Sequence, residues 1–130
     1  GGNIGIEIRM GLNYTEGVVK RGMSLEHFAA TTSTNAAKLL GMYPQKGAIS
    51  VGSDADIAII DPSVKKALSM SDLHLRDYSP WEGWEVEGWP TTVMLRGNMM
   101  VDNGQLVGSP DVGKLIHRKI TPSVLQRPAF

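Results

Sequence analysis

The sequence of 130 residues contains no cysteine. Disulfide bonds and cysteine-based zinc or redox sites are therefore excluded, and a reducing cytoplasm is the expected compartment. Neither sign of charge is in excess, since 13 Lys and Arg residues balance 13 Asp and Glu residues. Nucleic acids and anionic membranes attract a cationic surface, so neither is predicted as the main partner. No apolar run approaches the roughly 20 residues that a membrane-spanning helix needs.

The first residues, Gly-Gly-Asn-Ile-Gly, include no initiator methionine and no basic segment of the kind that begins a signal peptide. We therefore expect the chain to begin inside a longer protein. Its length suits one domain or a piece of a larger one, and its hydrophobic content of 42% is ordinary for a globular chain.

Helices are predicted in the first third of the chain. A short helix over residues 12–20 places Glu16 and Lys20 one turn apart, where the two charges attract each other. Ser24 is a favourable N-cap for a second helix, because its hydroxyl can accept a free backbone N–H. A further helical segment ends at Gly41, since glycine most readily adopts the left-handed conformation that closes a helix.

After Gly47 the hydrophobic pattern changes to the two-residue period of β-strands. Pro62 is expected to end a buried strand, because proline cannot donate to a sheet. The dipeptide Asn103-Gly104 favours a two-residue turn, which predicts a hairpin over residues 99–107. Strands are predicted at residues 48–51, 57–60, 65–69 and 92–96. The order is therefore helices first, followed by a small antiparallel β unit.

A metal site within this chain is not predicted. The three histidines, His27, His74 and His117, are isolated from one another and from the spacings that bind zinc. Asp54-Ala-Asp56 resembles part of a calcium loop, but the glycine and the closing glutamate of such a loop are missing. We instead predict a turn that leads into a strand, with the Asp54 carboxylate accepting from the backbone of its own turn.

All three tryptophans lie within one short segment, interleaved with carboxylates: Trp81, Trp84 and Trp89 with Glu82, Glu85 and Glu87. Aromatic rings beside carboxylates could bind sugars or cations, and paired carboxylates could hydrolyse glycosides. Alternatively, an amphipathic aromatic loop could cover a sheet edge or a subunit interface, where tryptophan is enriched. The glycines and Pro80 indicate a loop, so the second interpretation is favoured.

Five segments occur in a recognisable order: Gly5-Ile-Glu-Ile-Arg-Met10, Thr34–Pro44, Lys46–Pro62, Tyr78–Gly83 and Val112–Arg118. This ordered series resembles the C-terminal quarter of the hydantoinase/dihydropyrimidinase family in the amidohydrolase superfamily. The resemblance covers nearly the whole chain. It implies a TIM barrel accompanied by a β-sandwich that both ends of the parent chain build.

The resemblance also implies two divalent metals, usually zinc, in the full-length parent. In the family these metals generate a hydroxide that attacks a cyclic amide carbon, and they act as Lewis acids. All of the family's metal ligands lie upstream of the matched segments, so no catalytic residue, metal ligand or cofactor is predicted in this chain. The family's substrate-binding asparagine falls near the start of the chain, which makes Asn3 a candidate substrate-binding residue.

We therefore predict an α+β fragment with three parts. Residues 1–46 correspond to the last loop and outer helices of a TIM barrel, and residues 47–108 to an antiparallel β-sandwich portion. Residues 109–130 form an irregular tail that contacts other subunits. The expected partners are the rest of the parent barrel or the subunits of a homo-oligomer.

Three functional hypotheses stay open. The first is a structural segment of a dihydropyrimidinase- or D-hydantoinase-like hydrolase of cyclic amide C–N bonds, inactive alone. The second is a non-catalytic homologue that acts as a scaffold for assembly, which only the upstream sequence could distinguish from the enzyme. The third is an aromatic binding module that uses the three tryptophans.

Overall fold

A computed structural model describes residues 5–74, 78–120 and 122–126. Its helices are α1 (Arg9–Asn13), α2 (Leu25–Ala29), α3 (Asn35–Leu39) and α4 (Pro122–Gln126). Helix α1 continues as the π-helical segment Tyr14–Val19 and α2 as the π-helical segment Ala30–Thr34, while 3₁₀ turns lie at Met70–Asp72 and Pro110–Val112. The strands are β1 (Ile57–Ala67), β2 (Glu85–Leu95), β3 (Asn98–Asp102) and β4 (Gln105–Leu106).

The four strands form one antiparallel sheet in the order β1-β2-β3-β4. The predicted combination of short helices and a small antiparallel sheet is therefore confirmed. Helix α4 lies in the tail that was predicted to be irregular. The predicted domain boundaries at residues 46–47 and 108–109 stay a prediction.

The chain divides into two compact units that interleave in sequence. The first unit contains the chain up to Met23 together with Ile60–Pro90. The second unit contains Ser24–Ile59 together with the chain from Thr91 onward. Each unit is therefore assembled from two separate stretches of sequence.

The core of the first unit is a cluster of four buried apolar side chains: Ile8, Leu68, Leu73 and Val86. The partly buried side chains Leu12, Trp81 and Trp89 pack against this cluster. Removing an aliphatic side chain of this size from water contributes about 1.5–3 kcal/mol. This burial is the main force that joins the first stretch of the unit to the second.

The first unit also places a glycine opposite each of two aromatic rings. A β-carbon on Gly11 would lie 2.3 Å from the ring of Trp89, and a β-carbon on Gly88 would lie 2.3 Å from the ring of Tyr14. Gly88 has a φ angle of +85°, which residues with a side chain rarely adopt. The close approach of the first helix to β2 therefore depends on both glycines.

Two predictions about strands in the first unit were wrong. Residues 85–90 belong to β2, although their glycine and tryptophan content predicted a loop. The left-handed conformation of Gly88 accommodates the glycine inside the strand. Strand β1 does not end at Pro62 but continues to Ala67. It lies at the end of the strand order, where a residue without an N–H group is tolerated.

The predicted helix ends in the second unit are confirmed. The hydroxyl of Ser24 accepts the backbone N–H of His27 at 3.2 Å, which makes Ser24 the N-cap of α2. Gly41 has a φ angle of +70° directly after the last helical turn. The N–H of Met42 donates to the carbonyl of Ala37 at 2.8 Å, the bond expected of a helix that closes with a left-handed glycine.

The predicted hairpin is also confirmed. Strands β3 and β4 pair in antiparallel fashion, with Asp102 opposite Gln105. Asn103 and Gly104 connect them with φ angles of +46° and +75°, as a tight two-residue turn requires. A second turn of the same kind, at Arg96 and Gly97, joins β2 to β3 and was not predicted.

The strand predicted at residues 48–51 is absent from the described structure, which has a loop and turn there. Two backbone bonds close this loop: Ser53 N–H donates to the carbonyl of Ser50 at 3.0 Å, and Asp54 N–H donates to the carbonyl of Gln45 at 2.9 Å. The side chains of Ile49 and Val51 are consequently almost fully exposed, at 91% and 107%. Alternating apolar residues form a strand only where a neighbouring strand pairs with them.

Candidate functional site

The predicted substrate-binding residue, Asn3, lies outside the described residues. Among residues 5–74, 78–120 and 122–126, no three His, Asp or Glu side chains converge to hold a metal ion. The described side chains therefore do not fit the pair of metals that the resemblance implies for the parent. No catalytic step can be derived from them through a metal.

The three histidines have separate surroundings. The backbone of His27 takes part in the cap of α2, as described above. The Nδ1 atom of His74 lies 2.8 Å from a carboxylate oxygen of Glu7, whose oxygens also accept the backbone N–H of His74 at 3.1 and 3.2 Å. His117 is among the residues that line a small pocket in the second unit.

The most developed polar cluster lies in the second unit, in the loop that leads into β1. The ammonium group of Lys46 lies 2.9 Å from a carboxylate oxygen of Asp54 and also donates to the carboxylate of Asp56. Only 14% of the Lys46 side chain is exposed. Hydrogen bonds between charged groups are stronger than those between neutral groups. Lys46 therefore stabilises the loop between α3 and β1 by bonding to two of its carboxylates.

The charges of this cluster stabilise each other. The hydrogen bond from Lys46 holds the pKa of Asp54 below its ordinary value, and the amide of Gln45 contributes further, at 3.2 Å. Burial lowers the pKa of Lys46, but the bonds to Asp56 and Asp54 outweigh it and leave that pKa raised. Lys46 and Asp54 are therefore both held in their charged forms at neutral pH.

The prediction that Asp54 and Asp56 form a turn and the entry to a strand is confirmed, since β1 begins at Ile57. The predicted bond from the Asp54 carboxylate to its own turn was wrong. That carboxylate instead accepts from Lys46 and Gln45, which precede it by eight and nine residues. A lysine that precedes two aspartates in the sequence is a signal for an ion pair. The sequence does not show that the intervening loop brings Lys46 and Asp54 into contact.

Arg96 was missed by the sequence analysis and joins this cluster. Its backbone N–H donates to the Asp56 carboxylate at 2.8 Å, and its guanidinium donates to the carbonyl of Val112. Its φ angle of +48° is uncommon for a residue with a side chain. Arg96 therefore links the start of β1, the turn between β2 and β3, and the beginning of the tail.

The tryptophan segment contributes mainly to packing in the first unit. Trp81 and Trp89 pack against its core, and the ammonium of Lys66 lies 3.9 Å from the centre of the Trp89 ring. The Glu82 carboxylate accepts the backbone N–H of Met70 at 2.7 Å. The Glu87 carboxylate lies 3.1 Å from the Lys65 ammonium. No described contact favours a sugar site or a pair of catalytic carboxylates.

A larger open groove of about 530 Å³ lies in the first unit, lined in part by Lys20, Lys65, Lys66, Glu85 and Glu87. Several of its charges are already paired, such as Lys65 with Glu87 at 3.1 Å on the lining itself and Lys20 with Glu16 at 2.6 Å. Such neutralised pairs give the groove no strong preference for a charged ligand. None of the described helices is both long and apolar enough to cross a lipid bilayer.

Comparison with known proteins identifies the chain's relatives. The profile of the amidohydrolase family matches residues 1–100. A D-hydantoinase of Geobacillus stearothermophilus is 43% identical over 114 residues, which are 87% of this chain and 24% of that protein. A D-hydantoinase of Ralstonia pickettii is 44% identical over 116 residues, 88% of this chain and 25% of that protein.

The chain is also similar in fold to a solved D-hydantoinase. The solved structure of a D-hydantoinase (dihydropyrimidinase) from Thermus sp. superposes with a TM-score of 0.83 at 43% sequence identity. The superposition covers 87% of this chain and 25% of that one. The chain thus spans about a quarter of the length of the curated relatives that it matches.

Proposed function

Because the chain belongs to the amidohydrolase family, we propose that it is a segment of a D-hydantoinase- or dihydropyrimidinase-like hydrolase of cyclic amide C–N bonds. The observation that carries this proposal is the 43% identity to a D-hydantoinase over 87% of the chain. The superposition on a solved D-hydantoinase at a TM-score of 0.83 also supports it. The activity itself belongs to the whole parent protein.

Within that parent, the segment would have a structural role. Its helices would pack outside a TIM barrel, and its sheet would complete a β-sandwich with strands from elsewhere in the parent. The charged side chains of the Lys46 cluster support this role, because their partners are other groups of the same unit. Metals bound by the parent would be held by residues outside the part of the chain described here.

Exposed apolar side chains on the helices of the second unit support the same role. Leu25, Leu39 and Leu40 are 60%, 61% and 44% exposed in the chain taken alone. Large apolar side chains that cluster at a surface usually mark a contact with another segment or subunit. The rest of the barrel, or a further subunit, would cover them.

A chimera tests the proposal. The matching quarter of the Geobacillus stearothermophilus D-hydantoinase would be replaced by this chain, and zinc content and hydantoin hydrolysis would be measured. We expect a folded, zinc-loaded chimera that hydrolyses hydantoin. The matched control carries Lys46→Ala in the inserted segment. This change should lower the thermal stability of the chimera without altering its zinc ligands. A chimera that folds and loads zinc fully but hydrolyses nothing would contradict the proposal.

The scaffold hypothesis makes a different prediction for the same family fold. A scaffold parent would assemble into oligomers without binding stoichiometric zinc and without hydrolysing hydantoin or dihydrouracil. Metal analysis of the full-length parent separates the two hypotheses. The packing of Trp81 and Trp89 into the core gives no support to a binding module.

A further inference from the structure

A small pocket of about 320 Å³ lies in the second unit, beside the Lys46 cluster. This volume is at the lower end of the range typical of sites for small molecules. Its polar lining comes from Gln45 and Asp54 on one side, Arg96 in the turn between β2 and β3, and Lys114 and His117 on the tail. Both of the sequence stretches that form the second unit therefore contribute to this pocket.

The tail segment over this pocket, residues 112–120, is tied down at both ends. We call this segment the strap. The Arg96 guanidinium donates to the carbonyl of Val112 at one end. At the other end, the N–H of Lys119 donates to the carbonyl of Gly41 at 2.9 Å. The two anchors bind the backbone at each end of the segment that carries Lys114 and His117.

The charge around the pocket is positive on balance. Lys46, Arg96 and Lys114 carry three positive charges, against the two negative charges of Asp54 and Asp56. His117 adds a further hydrogen-bond donor. Both carboxylates already accept hydrogen bonds, Asp54 from Lys46 and Asp56 from Lys46 and from the Arg96 N–H. The donors left over therefore outnumber the acceptors.

The sequence of the strap has the same bias, although the chain as a whole is neutral. Lys114, Arg118 and Lys119 lie within it, and no Asp or Glu follows Asp111 in the chain. The bond to Val112 uses one N–H group of the Arg96 guanidinium, and a guanidinium has five N–H groups in all. A preorganised guanidinium is well suited to a planar or tetrahedral group of oxygen atoms.

We propose that this pocket binds a small oxyanion, a carboxylate or a phosphate group, through Arg96, Lys114 and His117. The Asp54 carboxylate in the wall does not oppose the ligand strongly, because Lys46 neutralises it at 2.9 Å. The Gln45 amide already donates to Asp54, so it serves to hold the wall in place. The proposal is independent of the hydrolase activity, since it concerns a pocket lined by described residues to which no catalytic role is assigned.

The test is a titration of the full ¹⁵N-labelled chain with inorganic phosphate and, separately, with acetate, at constant ionic strength set with chloride. We expect saturable amide shifts confined to residues 45, 96 and 114–117, with a dissociation constant in the millimolar range. Saturation by both anions, or by one alone, supports the site and identifies the group it prefers. Shifts that stay linear or spread over the whole chain would overturn it.

Two strap variants separate a site from general attraction to a basic surface. Lys114→Gln removes a pocket cation and should weaken phosphate binding by about fivefold or more, since charge-assisted hydrogen bonds are lost. Lys119→Gln removes the same charge from the same strap, but its side chain does not line the pocket, so the change should stay below about twofold. Equal weakening in both variants would overturn the proposal. His117→Gln provides a second pocket variant if the spectrum of Lys114→Gln shows altered folding.

Discussion

The hydroxyl oxygen of Thr15 lies 2.9 Å from the backbone nitrogen of Glu87 and 3.0 Å from the carbonyl oxygen of the same residue. It also lies 2.7 Å from the carbonyl of Gly11, one turn earlier in the helix. A single side chain in the first π-helical segment therefore meets both backbone groups of a strand residue 72 positions away. Thr15 is buried, so these bonds have no competition from water.

Replacing this hydroxyl should destabilise the fold. Thr15→Val keeps the shape of the side chain but leaves the partly buried N–H of Glu87 without its acceptor. We expect a loss of about 1–3 kcal/mol in the free energy of unfolding, the usual penalty for an unsatisfied buried group. Urea denaturation followed by circular dichroism measures it. Thr15→Ser keeps the hydroxyl and should lose less stability than Thr15→Val. If the Val variant is as stable as the natural chain, this role of Thr15 is refuted.

The contact between Gly88 and Tyr14 predicts a second loss of stability. Gly88→Ala places a methyl group where the Tyr14 ring lies, and it also strains the backbone at a φ angle of +85°. Gly83→Ala is the matched control, because Gly83 has a similar φ angle of +77° but open space around its α-carbon. Both variants should lose about 1 kcal/mol to backbone strain.

The steric contact should add to this loss only at Gly88. We expect Gly88→Ala to be less stable than Gly83→Ala by about 1–3 kcal/mol, the range for overpacking a folded core. The difference between the two urea midpoints isolates this contribution. Equal midpoints would show that Tyr14 moves aside without cost.

The ion pair between Lys46 and Asp54 predicts a dependence of stability on acid pH. The hydrogen bond from Lys46 lowers the pKa of Asp54 in the folded chain from its ordinary value of 3.8. The pair therefore stabilises the fold fully above that value, and the contribution is lost as the pH falls through the lower pKa of the folded state. Other carboxylates titrate in the same range, so the comparison must be made with a variant.

Asp54→Asn removes this titration and keeps the shape of the side chain. We expect the stability difference between the natural chain and Asp54→Asn to be constant from about pH 5 to pH 8. It should shrink below about pH 4, where Asp54 of the unfolded chain begins to be protonated, and continue to shrink through the lower pKa of the folded state. Thermal melting at a series of pH values measures it. A difference that stays unchanged down to pH 2 would mean that the ion pair contributes nothing.

The chain by itself should not hydrolyse cyclic amides. We expect no stoichiometric zinc and no turnover of hydantoin or dihydrouracil by the purified 130 residues, since the described side chains form no group of three metal ligands. Metal analysis and an assay for ring opening check this, with the intact Geobacillus stearothermophilus D-hydantoinase as the positive control. Turnover accompanied by bound zinc would contradict the structural role that we propose.

Features set by a few neighbouring residues could be predicted from the sequence. The cap at Ser24, the helix end at Gly41 and the turn at Asn103-Gly104 each depend on the conformational preferences of one or two residues. All three are present in the structure. The family could be recognised for a related reason, because its short motifs occur in a fixed order.

Features that depend on distant partners could not be predicted. The alternating residues 48–51 fit a strand, but no described strand pairs with them. The composition of residues 85–90 predicted a loop. In the structure they form a strand that contacts Tyr14 and Thr15 of the first π-helical segment. Arg96 carries no local signal of its role, because its partners Asp56 and Val112 lie 40 and 16 positions away. The substrate-binding role of Asn3 stays a prediction.

The interleaving of the two units constrains the order in which the chain can fold during synthesis. Ile8 leaves the ribosome well before its core partner Val86. The intervening residues 24–59 belong to the other unit, which in turn waits for the chain from Thr91 onward. Apolar surface in both units therefore stays uncovered together while translation proceeds, which is when a nascent chain is most prone to aggregate and most in need of a chaperone.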